Sequence, residues 1–440
     1  MNNYYLLDQA SAASYGIAVY GPVIAMVIMI FLAVPIWVVL GLGSVAMLVF
    51  TDVLPLSLIG ESLFDGIDAF ALIAIPLFIL TGDVLVRTGL SNKLLDVAEA
   101  STGSAKSGLG TSTVLGCGFF ACISGSDAAG AAAVGRMTID RLVDRGYPKA
   151  YACALVAAGA CTGILIPPSI AYIIIGLILG ISASTLFLAA AIPGLLIMIS
   201  IMATNVVLNA INGYENSKTG FSLKHWFATI YNSRDALMIP FIILGGIYSG
   251  IFTPTEAAAV AVLVGLGIGL YQRTITWRDF PKMLYSSAKV NGIILPIIAM
   301  SLPLAQTLAV LEIPQSFVTQ MTNITEDPVY LTLIMIGILI LAGCVMETTP
   351  NIVVLSPILL PLAQSIGMDE IQFCIMMVTA LGVGFITPPL GLNLFVVSGV
   401  TQTPVLQVAK YAAPYVLSML IVVLLLAFIP EISLWALTFN

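Results

Sequence analysis

Long apolar runs, parted by short polar or small-residue interruptions, set the pattern of this chain. They lie at about 17–51, 69–86, 108–123, 128–143, 150–180, 183–211, 236–252, 256–271, 290–311, 329–346, 351–366, 371–399 and 408–430. A spanning helix needs about 20 apolar residues, so some runs cross a bilayer easily and others fall short. The pairs 108–123/128–143 and 329–346/351–366 each meet at a polar tip. They predict re-entrant hairpins that enter and leave on one side. The run 17–51 is long for one helix and carries Pro35 in its middle, which predicts two short spans. The expected fold is an all-α, polytopic membrane protein.

Two runs contain the same defect. "GILIPPSIAYII" (Gly163 to Ile174) and "GFITPPLGLNLF" (Gly384 to Phe395) place a proline pair inside an apolar helix. Proline removes a backbone donor and clashes with the preceding turn, so both helices should break there. In lipid an unpaired carbonyl or amide costs several kcal/mol, so such a break survives only where protein, water or a ligand satisfies it.

Charge placement orders these elements. Lys and Arg fall at 87, 93, 106; at 136, 141, 145, 149; at 218, 224, 234; at 273, 278, 282, 289; and at 410. The loops holding Asp52, Glu61, Asp65 and Asp68, then Glu312, Glu326 and Asp327, then Asp369 and Glu370, contain no basic residue. With two hairpins, every basic cluster falls on one side, which the positive-inside rule makes cytoplasmic. Counting each hairpin limb as a full span gives the same sides. Helix 69–86 then runs inward, hairpin 108–143 opens to the cytoplasm and broken helix 150–180 runs outward. The second half repeats that order with reversed sense through 290–311, hairpin 329–366 and broken helix 371–399. One constant offset aligns Gly163 with Gly384, Pro167-Pro168 with Pro388-Pro389, and Gly146 with Gly367. This predicts inverted structural repeats, each with a re-entrant hairpin and a proline-broken helix, an architecture of secondary transporters.

Composition narrows the chemistry. The 440 residues are 60% hydrophobic and 8% charged, which leaves no sizeable extramembrane domain. The segment before Ile17 lacks the basic start of a cleaved signal peptide, so the run from Ile17 reads as a retained span. Six cysteines in or beside apolar runs read as small packing residues. A single histidine, His225, excludes a multi-histidine metal or haem site. "GSAKSGLG" (Gly103 to Gly110) imitates a phosphate loop but has Leu109 where lysine is required, and no HExxH occurs.

Freed carbonyls suit a dehydrated cation such as Na⁺, and half-helix N-termini suit a carboxylate. The candidate cation ligands are Ser124, Gly125, Ser126, Asp127, Gly163 and Pro167 in the first repeat. In the second they are Glu347, Thr348, Thr349, Gly384, Thr387 and Pro388. Pro168, Ser169, Pro389 and Asn393 are the candidate substrate contacts. Acids at membrane depth are costly and usually functional. Asp127 and Glu347 can also be neutral or cap half-helices, Ser and Thr can bond back within helices, and Asn393 can serve a ligand or the break itself.

These residues resemble the large membrane subunit of tripartite ATP-independent periplasmic (TRAP) transporters. "GGIYSGIFTPTEAAAVAVLVG" (Gly245 to Gly265) is similar to that family's signature between the repeats. "SGSDAAGAAAVG", "METTPNIVVLSPILLP" and the two broken-helix segments fall where the family has its hairpins and breaks. Many members read SGSS at the first tip, where this chain has Asp127. The resemblance implies an elevator-type, Na⁺-driven importer of an organic acid in the bacterial inner membrane. It implies two further polypeptides: a small membrane subunit and a periplasmic substrate-binding protein. Among family substrates it favours sialic acid, with C4-dicarboxylates next. The division that follows is scaffold at 1–68, transport repeat at 69–211, scaffold at 212–289, second transport repeat at 290–430 and a tail at 431–440. The rival readings are a stand-alone anion carrier and, further off, an intramembrane enzyme or respiratory-complex subunit. No organic cofactor and no nucleic-acid partner are expected.

Overall fold

The computed structural model describes residues 16–102, 107–215 and 222–439; Lys106, Lys218 and half of the phosphate-loop look-alike lie outside them. Among the described residues all regular structure is helical. Six helices are long and apolar enough to cross a membrane: Phe70–Thr88, Ala183–Asn212, Pro254–Tyr271, Phe280–Val310, Pro328–Val345 and Val405–Phe428. The pair Lys149–Leu165 and Ile170–Leu179, bent by 41° at its break, has the length and composition of a seventh. The run 17–51 divides into Ile17–Phe31 and Ile36–Thr51, with Pro35 as the N-cap of the second.

The two hairpins are Gly108–Ser124 with Asp127–Asp144, and Pro328–Val345 with Thr348–Ser365. Their second limbs start and stop at the same offset that separates Gly163 from Gly384, and so do the starts of the broken helices at Lys149 and Glu370. Gly146 and Gly367, in the turns between hairpin and broken helix, have φ of 106° and 80°. Only glycine holds that conformation without strain, which is why the two turns are recognisable from sequence. The peptide bonds Pro167-Pro168 and Pro388-Pro389 are both cis. By length alone Pro328–Val345 also qualifies as a span, so the second hairpin rests on its tip and its counterpart rather than on shortness.

Packing crosses between the halves. The outer part of the first broken helix, Ile170–Leu179, lies on the second hairpin limb Thr348–Ser365. The outer part of the second, Leu392–Thr401, lies on the first hairpin limb Asp127–Asp144. Where the inner parts meet, Cys161 Sγ donates to the Gly382 carbonyl at 3.2 Å, joining two positions 221 apart in sequence. That contact marks the approximate two-fold axis, and the core around it is fully buried from Tyr151 through Ile170.

The long helices Phe70–Thr88 and Phe280–Val310 pack on Pro254–Tyr271, Ile36–Thr51 and Ser57–Ile67 rather than mainly on the hairpins. The segment after Phe252 starts its helix with a capping box. Thr253 Oγ1 accepts from Glu256 N at 3.3 Å, and Glu256 accepts from Thr253 N at 2.9 Å, with Pro254 at the first helical position. One end of the bundle gathers ion pairs that link several basic clusters: Lys93 with Asp235, Arg141 with Glu99, and Arg145 with Glu215 at 4.0 Å.

Candidate functional site

Each break is sealed against the hairpin of its own repeat, and a glycine permits the approach. A Cβ on Gly163 would sit 2.7 Å from the Ser126 carbonyl carbon and the Asp127 amide; one on Gly384 would sit 2.7 Å from the Gly343 backbone. Both distances are below any real Cβ contact, and the atoms met are backbone. Beyond each break the chain bonds the tip again. Ile170 N donates to the Gly125 carbonyl at 3.3 Å, and Gly391 N donates to the Cys344 carbonyl at 3.2 Å. Positions 170 and 391 are equivalent under the same shift.

Several predicted ligands already have intramolecular partners. Ser169 Oγ donates to the Ile164 carbonyl at 2.7 Å and Thr387 Oγ1 to the Val383 carbonyl at 2.7 Å, so both hydroxyls help satisfy broken-helix carbonyls. Ser126 caps the second hairpin limb, accepting from Ala129 N at 3.4 Å, and Ser124 Oγ donates to the Ser126 carbonyl at 3.4 Å. Gly125 takes φ 59° at the tip. Thr349 is buried beside Thr348. Pro167 and Pro168 are buried, whereas Pro388 and Pro389 are exposed.

Other polar atoms have no partner. Asp127 is 3% exposed and its Oδ2 makes no hydrogen bond; Asn393 is fully buried and its Oδ1 makes none. The Asn393 amide group lies beside the Asp127 carboxyl and also donates from Nδ2 to the Ala157 carbonyl and to Cys161 Sγ, each at 3.4 Å. A tip residue of the first repeat thus meets a break residue of the second. The positions equivalent to these two are Thr348 and Tyr172, and both hydroxyls are likewise buried without partners. A buried acceptor left unpaired costs about 1–3 kcal/mol, more when charged, so these oxygens in matched positions are where the two repeats have hydrogen-bonding capacity to spare. Oxygen ligands alone suit a hard cation. Among the described residues no cluster of His, Cys, Asp and Glu suits a transition metal.

Glu347 differs from Asp127. It stands at the N-cap position of Thr348–Ser365 without a side-chain capping bond and is exposed to two clefts. The larger, about 470 Å³, runs between the first hairpin and the helices Phe70–Thr88 and Phe280–Val310, with Ser124 and Ser126 also on its wall. The smaller, about 190 Å³, lies between the second tip and Leu390 and Phe395 beyond the second break.

Sequence reasoning misses Glu215, which is 2% exposed. Its carboxylate accepts from Leu109 N at 3.1 Å and from the Tyr147 hydroxyl at 2.9 Å, capping the first hairpin helix from a distant part of the chain. No local pattern announces such a cap.

A family model described as "Tripartite ATP-independent periplasmic transporter, DctM component" matches residues 23–432. The chain belongs to this family. It is similar to the C4-dicarboxylate TRAP transporter large permease protein DctM of Pseudomonas aeruginosa, 36% identical over 84% of this chain and 87% of that protein. The protein of the same name from Rhodobacter capsulatus is 32% identical over 94% and 97%. The isethionate TRAP transporter permease protein DctMQ of Oleidesulfovibrio alaskensis is 36% identical over 91% of this chain, which spans only 64% of that longer protein. Among solved structures, the Alcanivorax borkumensis YdaH transporter superimposes with a TM-score of 0.62 at 15% identity, over 92% of this chain and 97% of that one. That likeness concerns the fold alone. The family match makes the chain a multi-pass membrane component of a transporter, and the enzyme reading falls with it.

Proposed function

We propose that this chain is the translocating subunit of a Na⁺-coupled importer of a small organic acid in the bacterial inner membrane. A periplasmic binding protein delivers the acid and a small membrane subunit docks beside it. The observation that carries the reading is the buried meeting of the two repeats at the crossing of the broken helices, where Asp127, with Oδ2 free of any hydrogen bond, lies beside Asn393, with Oδ1 free of any. Two acids at the tips repel an organic anion, and co-transported cations supply the positive charge that lets the anion enter. Asp127 and Asn393 offer oxygens to one such cation; Thr348, with no acid of its own, offers the weaker equivalent. Half-buried Ser126 at the first tip and the exposed Pro388, Pro389 and Leu390 at the second break are our candidate contacts for the acid. Within that class the sequence resemblance favours sialic acid, while the relatives' names favour C4-dicarboxylates and isethionate; we take the smaller acids as the first to test.

The test is uptake into proteoliposomes holding the chain with its small subunit and candidate binding proteins, presented with succinate, isethionate and N-acetylneuraminate. Uptake should require external Na⁺ and increase with an inside-negative potential. Undiminished uptake in choline or K⁺ would remove the coupling, and uptake without any binding protein would favour the stand-alone carrier.

The motion we assign is an elevator: hairpins and broken helices move together against a scaffold of the helices at 17–67 and 234–271 with the long helices they pack on. Basic loops face the cytoplasm in this arrangement. Cysteines at Ala133 and Ile293, on opposite walls of the larger cleft, should lock transport when cross-linked. Cysteines at Val84 and Gly265, in contact within the scaffold, should not. The reverse result would make the hairpins independent gates.

A further inference from the structure

One wall of the larger cleft is a single face of the hairpin limb Asp127–Asp144. Ser126, Ala129, Ala133 and Arg136 follow one another along it at helical spacing. Three or four residues per step keeps side chains on one stripe. The stripe is smooth, with small side chains between a hydroxyl at the tip and an arginine whose Cα is about 15 Å further along the axis. Arg136 is exposed and, among the described residues, has no ion pair and no side-chain hydrogen bond. Its neighbours on the same limb are different: Arg141 pairs with Glu99 and Arg145 lies by Glu215. The other charged residues on the cleft wall are Asp83 and Glu347, and Asp83 is held by Arg87 at 2.9 Å. Arg136 is therefore the unpaired cation of a cleft whose other end touches both hairpin tips. Guanidinium binds carboxylate or sulfonate in a planar, two-pronged geometry, and a preformed unpaired one costs little to recruit.

Resting on the proposed transport of an organic acid, we infer that Arg136 is a second anion station of the cleft, distinct from the tip. It holds the acid group of the substrate between the tips and the water at the cleft mouth. Its distance from Asp127 separates it from the cation site, so it sets how the substrate leaves and re-enters by this cleft, and not how tightly Na⁺ binds.

Counterflow in proteoliposomes reads this directly: unlabelled succinate or isethionate inside drives exchange, and its internal concentration is varied. Arg136→Gln should raise the internal KM by about three- to fivefold, the upper part of the range for one exposed charge pair. External Na⁺ for half-maximal rate should stay unchanged. Arg136→Lys should remain within about threefold of wild type, because charge is kept and only the fork is lost. In Arg136→Cys, a cationic methanethiosulfonate reagent should restore much of the lost affinity and an anionic one should lower it further. An unchanged internal KM in Arg136→Gln overturns the station. So does a rise in Na⁺ requirement matching the rise in KM, or indifference of the labelled cysteine to reagent charge. Loss of wild-type exchange in choline bears on the Na⁺ reading alone, since the ratio between the Arg136 variants is read in one common buffer.

Discussion

The two hairpin tips hold equivalent positions in equivalent repeats, yet their surroundings are opposite. At the first tip Asp127 is buried, and the break behind it is buried from Cys161 to Ile170. At the second tip Glu347 is open to two clefts, and Pro388, Pro389 and Leu390 are exposed. The backbone device is the same on both sides: a glycine pressed on the hairpin, a proline pair, and a bond from the far side of the break to the tip. Repetition of the device with different solvation teaches that the inverted halves share a construction but not a state. One half is sealed around a buried carboxyl group while the other is open to clefts. An alternating carrier caught facing one way would have this form, and the proposed function then puts the stronger cation site in the sealed half.

Replacing the glycines should break the comparison most severely. Gly163→Ala and Gly384→Ala each force a Cβ into backbone, at about 1–3 kcal/mol of overpacking or more. Transport should be lost in both. The thermal midpoint should fall further for Gly163, whose surroundings are closed, than for Gly384, beside the exposed break. Equal falls would mean that the difference in burial has no energetic weight.

The acids come next. Asp127→Asn keeps the shape but removes the charge, and the Na⁺ concentration for half-maximal uptake should rise about tenfold or more, near ~1.4 kcal/mol of ion affinity. Glu347→Gln should change it by only a few-fold, since water screens an exposed charge. A larger effect at Glu347 would reverse the assignment of the two tips.

The smallest expected effects separate the equivalent break residues. Asn393→Ala removes an oxygen beside Asp127 and should raise the Na⁺ requirement about three- to tenfold. Tyr172→Phe removes a buried hydroxyl that has no partner, so uptake should stay within about twofold of wild type and stability should hold or rise. If Tyr172→Phe costs as much as Asn393→Ala, the second site carries a full share of the coupling.

Much of this arrangement is legible in the chain. The proline pairs, Gly146 and Gly367, and the tips at Ser124 and Glu347 all announce themselves locally, because each imposes backbone geometry on its neighbours. A single constant offset recovers the repeat even where side chains diverge. Among the described residues, four helices of ten residues or more leave no mark on the apolar pattern: Ser57–Ile67, Leu90–Thr102, Leu223–Asn232 and Ile313–Ile324. They are too polar or too short to register as apolar runs, although the second and fourth occupy nearly equivalent places. The exchange of outer half-helices between repeats, which brings Asn393 to Asp127, depends on contacts between opposite halves of the chain and leaves no local trace. In sequence Arg136 is one member of a surface cluster, since only the cleft distinguishes it from Arg141 and Arg145.

Central to the proposed function is a cation site at the Asp127–Asn393 pair. Thermal unfolding of the purified chain, titrated with NaCl against KCl or choline chloride at constant ionic strength, tests that without needing a substrate. Ligand bound only to the folded state raises stability by RT ln(1 + [L]/Kd), so Na⁺ should raise the midpoint progressively in wild type while K⁺ does not. In Asp127→Asn most of that Na⁺-specific rise should disappear while the Glu347→Gln protein keeps it. A Na⁺-specific rise of undiminished size in Asp127→Asn, or no rise in wild type at all, would contradict the account.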